Sequence, residues 1–242
     1  MRQKLTMLRN YLLQFSLRLL TLLVTFAVYL TAPEALDFTK NRELLHPINL
    51  LWLVFFVSFA IQLAPFARIS RGCLKQFPMH YEKTPDPIDA AALRRSTRAL
   101  DRGAVRVALV WIALNGFFAA LYFRRVIGIA ELVLLAAFYY VCDLICIMFY
   151  CPFQHLLMKN KCCVTCRIFA WGTIMIATPF LFVPHLYSWS LAALALVCTL
   201  RWEITYRRHP ERFTEQTNAF LRCENCTDHL CAMKKIHPHH KK

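Results

Sequence analysis

The sequence predicts an all-α protein, a polytopic helical membrane bundle of about six transmembrane helices with both termini in the cytoplasm. Three observations carry this. The 242 residues are 58% hydrophobic and 14% aromatic, more apolar than a soluble domain of this size. The same chain holds 29 Lys and Arg against 14 Asp and Glu, a formal net charge of +15. The two properties are also segregated, with apolar residues in long blocks and most cations between the blocks. Such hydrophobicity excludes intrinsic disorder. Five glycines in the whole chain exclude collagen-like or Gly-rich linker material.

A bilayer core about 30 Å thick takes about 20 helical residues. Block 11–31 meets this with one charge, Arg18, near its start. Its apolar run is too long for a signal-peptide core and no small-residue cleavage pattern follows, so it is read as a span. Block 47–67 carries no charge, and block 104–123 carries only Arg106, near its start. Block 126–150 contains Glu131 and Asp143. The run 168–200 is uncharged and too long for one span, with Pro179 and Pro184 in its middle. Proline breaks the helix ladder, so two short spans are expected, 168–183 and 188–206, with a re-entrant hairpin as the alternative. The membrane domain is then 1–206, and 207–242 is a tail containing Cys and His.

Lys and Arg mark the cytoplasmic side when counted over short loops. With six spans, residues 1–10, 68–103, 151–167 and 201–242 form one set, with 23 basic residues. The other set holds Lys40, Arg42, Arg124 and Arg125. The imbalance places both termini in the cytoplasm of a multi-pass cell-membrane protein.

The basic loop 68–103 contains Asp86-Pro87, an N-cap followed by proline at the first helical position. A helix is expected from 88 to about 101, ending at Gly103. Arg94, Arg95, Arg98 and Arg102 share one of its faces, which suits anionic lipid headgroups. The cations are spread over several loops without a recognition motif, so no nucleic-acid partner is expected. In the tail, Trp202 and Tyr206 suit the membrane interface. Pro210 is expected to open a helix with Phe213, Thr217, Phe220 and Leu221 on one face. The His-rich end, 237–242, is expected to be disordered.

The chain has eleven cysteines, six of them in two tight groups. One group is Cys162, Cys163 and Cys166; the other is Cys223, Cys226 and Cys231. Both fall on the predicted cytoplasmic side. That compartment is reducing, which favours metal ligands or redox thiols over structural disulfides. Each group contains a Cys-x-x-Cys pair, Cys163/Cys166 and Cys223/Cys226. Two such pairs complete a tetrahedral four-cysteine zinc site or hold an iron–sulfur cluster. The last membrane hairpin separates the pairs and returns the chain to the side it left. Cys162 and Cys231 are the next candidates, and Cys151, His155 and His229 lie close in sequence.

In the fourth span Glu131, Tyr139, Cys142, Asp143 and Cys146 fall within one third of the circumference at about 100° per residue. Ionisable residues in lipid face a bundle interior, so this face is expected to point inward. Asp143 lies about 10 Å deep by helical rise and is expected to pair with Arg18 or Arg106. Either these groups line a path for a proton, cation or redox carrier, or Asp143 and an arginine clamp the assembly.

The leading reading is an integral membrane protein with a thiolate metal or iron–sulfur site at its cytoplasmic face, serving electron transfer or metal and redox sensing. One alternative is a small proton- or ion-coupled transporter using Glu131 and Asp143, with a structural cysteine–zinc site. Another is a non-catalytic membrane subunit that docks a partner through the basic loop. No Ser/His/Asp set, phosphate loop or paired-carboxylate arrangement supports a hydrolase, and no catalytic residue is assigned.

Overall fold

The computed structural model describes residues 2–40, 46–65, 70–85, 89–160, 162–226 and 228, with side chains from Met7 onward. Cys231, His229, the Asp86-Pro87 cap and the His-rich end lie outside the described residues. The described residues are 76% helix, with no strand among them. Its helices are α1 (Arg2–Thr31), α2 (Pro47–Ile61), α3 (Arg71–Leu74), α4 (Ala90–Phe123), α5 (Ile129–Met148), α6 (Gly172–Ala177) and α7 (Leu186–Arg208). Short 3-10 turns flank α6 and extend it to a shorter apolar helix, Phe169–Phe182. Among the described residues three helices are long and apolar enough to cross a membrane: Met7–Thr31, Ala90–Phe123 and Ile129–Met148.

α5 is the central helix. Leu132, Val133, Ala136, Ala137, Leu144 and Met148 are buried along it. The two alanines let neighbours approach closely, as small residues do in membrane bundles. α1 and α4 are peripheral. They turn Leu13, Leu20 and Leu30, and Leu109, Ile112 and Phe117, outward. Exposed apolar area on this scale marks contact with lipid or partner rather than water.

Long-range contacts fix which ends lie together. The Tyr11 hydroxyl donates to Asp228 Oδ2 at 3.3 Å, joining the start of α1 to the tail. Phe15 meets Phe149 edge-on at 5.7 Å, bringing the end of α5 to the same place. At the opposite end, Trp52 Nε1 donates to Ser190 Oγ at 2.9 Å. The tail and the beginning of the chain therefore share one end of the bundle.

Proline punctuation separates the last two helices. Pro179 opens a 3-10 turn, Thr178–Phe182. Beyond Pro184, His185 Nδ1 accepts from the Tyr187 amide at 3.2 Å and caps α7. Two expectations are corrected. The helix expected to stop at Gly103 continues instead, so α4 is a single 34-residue helix. Gly103 is there for contact rather than termination: a Cβ on it would sit 2.8 Å from Met158 Sδ. The tail is not one helix after Pro210 but three separate 3-10 turns, Pro210–Phe213, Ala219–Leu221 and Cys223–Asn225. Polar side chains there compete for the backbone. Thr217 Oγ1 donates to Glu211 O, Asn218 Nδ2 donates to Arg212 O, and Asn218 Oδ1 accepts from the Glu82 and Phe220 amides.

Candidate thiol site at one end of the bundle

The segment joining α5 to the Phe169–Phe182 helix carries most of the chemistry. Cys151 follows the end of α5 directly, and a π-helical turn, Phe153–Met158, comes next. Lys159, at φ 51°, then reverses the chain in the left-handed region. Asn160 Nδ2 and Thr165 Oγ1 both donate to Cys162 O, and the Cys166 amide donates to Cys163 O at 2.9 Å. The Cys163-x-x-Cys166 pair thus sits on a tight turn held from both sides.

Two cations fix this turn to the rest of the bundle. Lys75, just past α3, is fully buried. Its Nζ donates to Val164 O and Cys166 O, each at 2.8 Å. It also lies over the rings of Trp202 and Phe213, at 5.2 and 5.4 Å, a favourable cation–π arrangement. Burial pulls this amine down to about 7, against the pull of the neighbouring Cys166 and Cys162. Arg167 forks onto Glu203, with Nη1 2.7 Å from Oε1 and Nη2 bonded to Oε2. It also contacts Asp101 at 3.3 Å and stacks 3.8 Å from the Tyr206 ring centroid. Trp202 Nε1 donates back to Arg167 O at 2.8 Å, and Trp171 Nε1 to Glu203 at 2.7 Å. The paired carboxylate holds the Arg167 guanidinium charged despite its burial.

Above the turn is a cavity of about 100 Å³. Cys142, Asp143, Cys146, Cys151, Cys163 and Cys166 line it, along with aromatic and aliphatic side chains. Cys146 and Cys151 hydrogen-bond through their thiols. Cys163 Sγ donates to Gln154 Oε1 at 2.8 Å and lies 3.7 Å from Cys146 O. Two sulfurs accept backbone amides: Cys151 from Gln154, at 3.4 Å, and Cys166 from Ile168. Burial pushes the Cys166 thiol up to about 12, opposed by the Lys75 ammonium and the Ile168 amide. The ten described cysteines are all thiols, none in a disulfide.

Of the two sequence groups of cysteines, Cys163 and Cys166 line the cavity at the end of α5, and Cys223 and Cys226 are not among its lining residues. Cys223 is exposed and Cys226 half-buried. Among the described residues no three His, Cys, Asp or Glu side chains stand in a metal-holding arrangement.

The polar face of α5 divides. Tyr139, Cys142, Asp143 and Cys146 line the cavity. Tyr139 also donates to Asn115 Oδ1 at 3.4 Å and packs against Trp111. Glu131 lies at the other end. It accepts from the Gly128 amide at 2.7 Å and from Tyr29 at 3.0 Å, capping α5. It borders a separate apolar groove of about 470 Å³ between α1, α4 and α5. Asp143 Oδ2 takes Arg18 Nη1 at 2.7 Å, and the same nitrogen reaches Tyr140 O at 2.8 Å. Arg18 also lies 4.2 Å over the Tyr140 ring. Arg106 lies away from this pair, turned to Arg102 O. Gly172 admits the carboxylate: a Cβ there would be 2.3 Å from Asp143 Oδ1. Arg94, Arg95, Arg98 and Arg102 are exposed on the first half of α4.

Sequence reasoning did not single out Lys75, Gln154 or the Arg167–Glu203 fork. A lysine placed between Leu74 and Phe77 was the one signal for the first. Comparison with family models, with curated proteins and with solved structures found no match.

Proposed function

We propose that the chain is a six-span membrane protein with both termini in the cytoplasm. Its cytoplasmic end carries a thiol-ligated metal or iron–sulfur site that serves electron transfer or metal and redox sensing. The observation that carries this reading is the concentration of thiols on one enclosed turn. Cys163 and Cys166 line the cavity at the end of α5, and the buried Lys75 amine donates to the Val164 and Cys166 carbonyls of the same turn. Thiolates in a reducing compartment bind soft metals. Zinc and an iron–sulfur cluster are the two candidate cofactors.

The six spans are the three long apolar helices together with α2, the Phe169–Phe182 helix and α7. An even number agrees with the Tyr11–Asp228 contact, and the loop charges orient the bundle. The exposed arginine face of α4 is assigned to anionic headgroups. Transport through Glu131 and Asp143 is the weaker reading. Asp143 is engaged by Arg18 across α1 and α5, and Glu131 by a helix cap and Tyr29, so both carboxylates have structural partners. Docking of a protein partner on the basic loop rests on charge alone.

The test is purification without oxygen, followed by a visible spectrum and elemental analysis. A broad visible band with iron supports a cluster and electron transfer. A colourless protein with about one zinc per chain supports a sensing or structural site. Absence of both metals after supplementation of the growth medium overturns the proposal. Reporters fused to each terminus test the topology, and opposite sidedness of the two overturns the six-span reading.

A further inference from the structure

We propose that the groove between α1, α4 and α5 holds a phospholipid of the phosphatidylethanolamine class, with an acyl chain along the groove, its ammonium on Glu131 and its phosphate on Arg124 and Arg125. The site lies at the end of the bundle away from the cysteines. It rests on the reading of these three helices as membrane spans and on no metal.

The groove has a volume of about 470 Å³, within the roughly 300–1,000 Å³ of small-molecule sites. Leu22 and Phe26 of α1, Phe118 of α4, and Leu135 and Phe138 of α5 form its walls. α4 and α5 are tied at the Asn115–Tyr139 hydrogen bond, and the groove opens on the far side of that tie from the thiols. Phe26 and Phe138 are 45% and 51% exposed, so it is open to the surrounding lipid.

Among the described residues Glu131 is the one charged group on the lining. Its Oε2 accepts the Gly128 amide and its Oε1 the Tyr29 hydroxyl. An ionised carboxylate offers about four lone-pair sites, so these two bonds leave it acceptor capacity. The cations stand just before it in the chain. α4 ends at Phe123, and the backbone reverses over Arg124 and Arg125, with Arg125 at φ 57° and its amide on Tyr122 O at 2.9 Å. Glycine is the usual residue in that left-handed position. Both arginines are exposed, and among the described residues neither side chain has an acidic or hydrogen-bonding partner. Ile127, two residues after Arg125, already lines the groove.

These charges select the headgroup. Arginines pair with phosphate, and a primary ammonium donates to carboxylate. The phosphoethanolamine group carries both on a short ethylene link, matching a cationic turn followed by an acidic first helical turn. A choline ammonium has no N–H to give Glu131, and a glycerol headgroup has no cation. Lipid tails are as apolar as the groove walls, so an acyl chain gains little there over bulk lipid, and headgroup pairing sets the preference. A transmembrane helix in the same place would have to bring an acid and a base of its own to that level.

The experiment uses the full chain in vesicles of equal parts phosphatidylethanolamine, phosphatidylcholine and phosphatidylglycerol, with a trace of diazirine-tailed phosphatidylethanolamine. Photolabelled positions are mapped by mass spectrometry. Labelling is expected at Phe26, Phe118, Leu135 and Phe138. Raising the share of unlabelled phosphatidylethanolamine should displace it roughly fivefold more effectively than raising either other lipid, the size of one exposed ion pair. At Leu109 and Ile112, exposed on α4 outside the groove, the three lipids should compete equally. Glu131→Gln keeps an acceptor for the Gly128 amide, so α5 stays capped, but it removes the charge and should abolish the preference. Arg124→Gln/Arg125→Gln should do the same. Equal competition by the three lipids in the wild type, or an unchanged preference in Glu131→Gln, overturns the site. A crosslinked dimer in place of lipid adducts assigns the groove to a second copy of the chain and also overturns it. Absence of lipid adducts anywhere on α1, α4 and α5 overturns the membrane reading itself, which the other outcomes leave standing.

Discussion

Gly172→Ala probes how closely α6 is held against the α5 carboxylate. The new Cβ would lie 2.3 Å from Asp143 Oδ1 and 3.0 Å from its Cγ, against an ordinary contact of 3.4 Å or more. The carboxylate must therefore withdraw by about 1 Å, since the obstacle on the other side is helix backbone. Its bond to Arg18 is 2.7 Å long, and a shift of that size takes it beyond hydrogen-bonding distance. Both side chains are largely buried, at 14% and 20% exposure, so solvent does not replace the lost partner. A hydrogen bond between charged groups is worth about 1.5–3 kcal/mol, and Gly172→Ala should destabilise the bundle by that amount. In an Asp143→Ala background the obstructing atoms are gone. Gly172 has helical angles, φ −50° and ψ −40°, so alanine there should be neutral or stabilise by about 0.5–1 kcal/mol. The sign reversal is the diagnostic. It is read from equilibrium unfolding in mixed detergent micelles, followed by circular dichroism, as a double-mutant cycle. An equal cost in both backgrounds would refute the clamp.

Three further outcomes follow from the same end of the bundle. Lys75 titrates near 7 when folded and at 10.5 unfolded, so the folded state binds fewer protons between those values. Its contribution to stability therefore rises with pH across that window. Wild type should gain on Lys75→Met as pH rises from 7 to 10, and parallel unfolding curves would contradict the burial argument. Arg167→Lys keeps the charge but loses the fork onto Glu203; it should cost about 1.5–3 kcal/mol in the same unfolding assay, and a cost near zero would show the fork to be dispensable. Asp228→Ala removes the acceptor shared by Tyr11, Ser70 and the Arg71 amide. Alkylation of Cys226 by a water-soluble maleimide should accelerate several-fold while Asp228→Asn stays close to wild type, and an unchanged Cys226 rate in Asp228→Ala would remove Asp228 as the tail anchor.

Hydropathy located the helices because each block is uniform enough to outweigh local propensity. The break in 168–200 was legible from Pro179 and Pro184, since a missing amide donor acts in any context. Gly103 misled, because glycine at a helix end and glycine at a close helix contact look alike in one sequence, and only Met158 distinguishes them. The tail misled for a related reason. The 3.6-residue spacing of Phe213, Thr217, Phe220 and Leu221 is also the spacing of three anchors along successive turns, and Phe213 does pack against Trp202 and Tyr206. At the site, the Cys-x-x-Cys turn was readable from spacing. Cys146 was placed on the inward face of the fourth span and Cys151 beside the first group, but that they share one cavity with Cys163 and Cys166 depends on the path of the segment after α5. Lys75 was invisible because its partners are main-chain carbonyls, which every residue possesses.

The five cavity thiols also lie close along the chain, from Cys142 to Cys166, whereas the contact that seats the tail, Tyr11 to Asp228, closes a separation of 217 residues. The entropic cost of closing a loop grows with its length, and distant contacts form late. The two halves of this end of the molecule therefore belong to different stages of assembly. The thiol-bearing turn can organise as soon as α5 and its following segment have left the ribosome. The tail docks later, when Asp228 reaches Tyr11, Ser70 and the Arg71 amide.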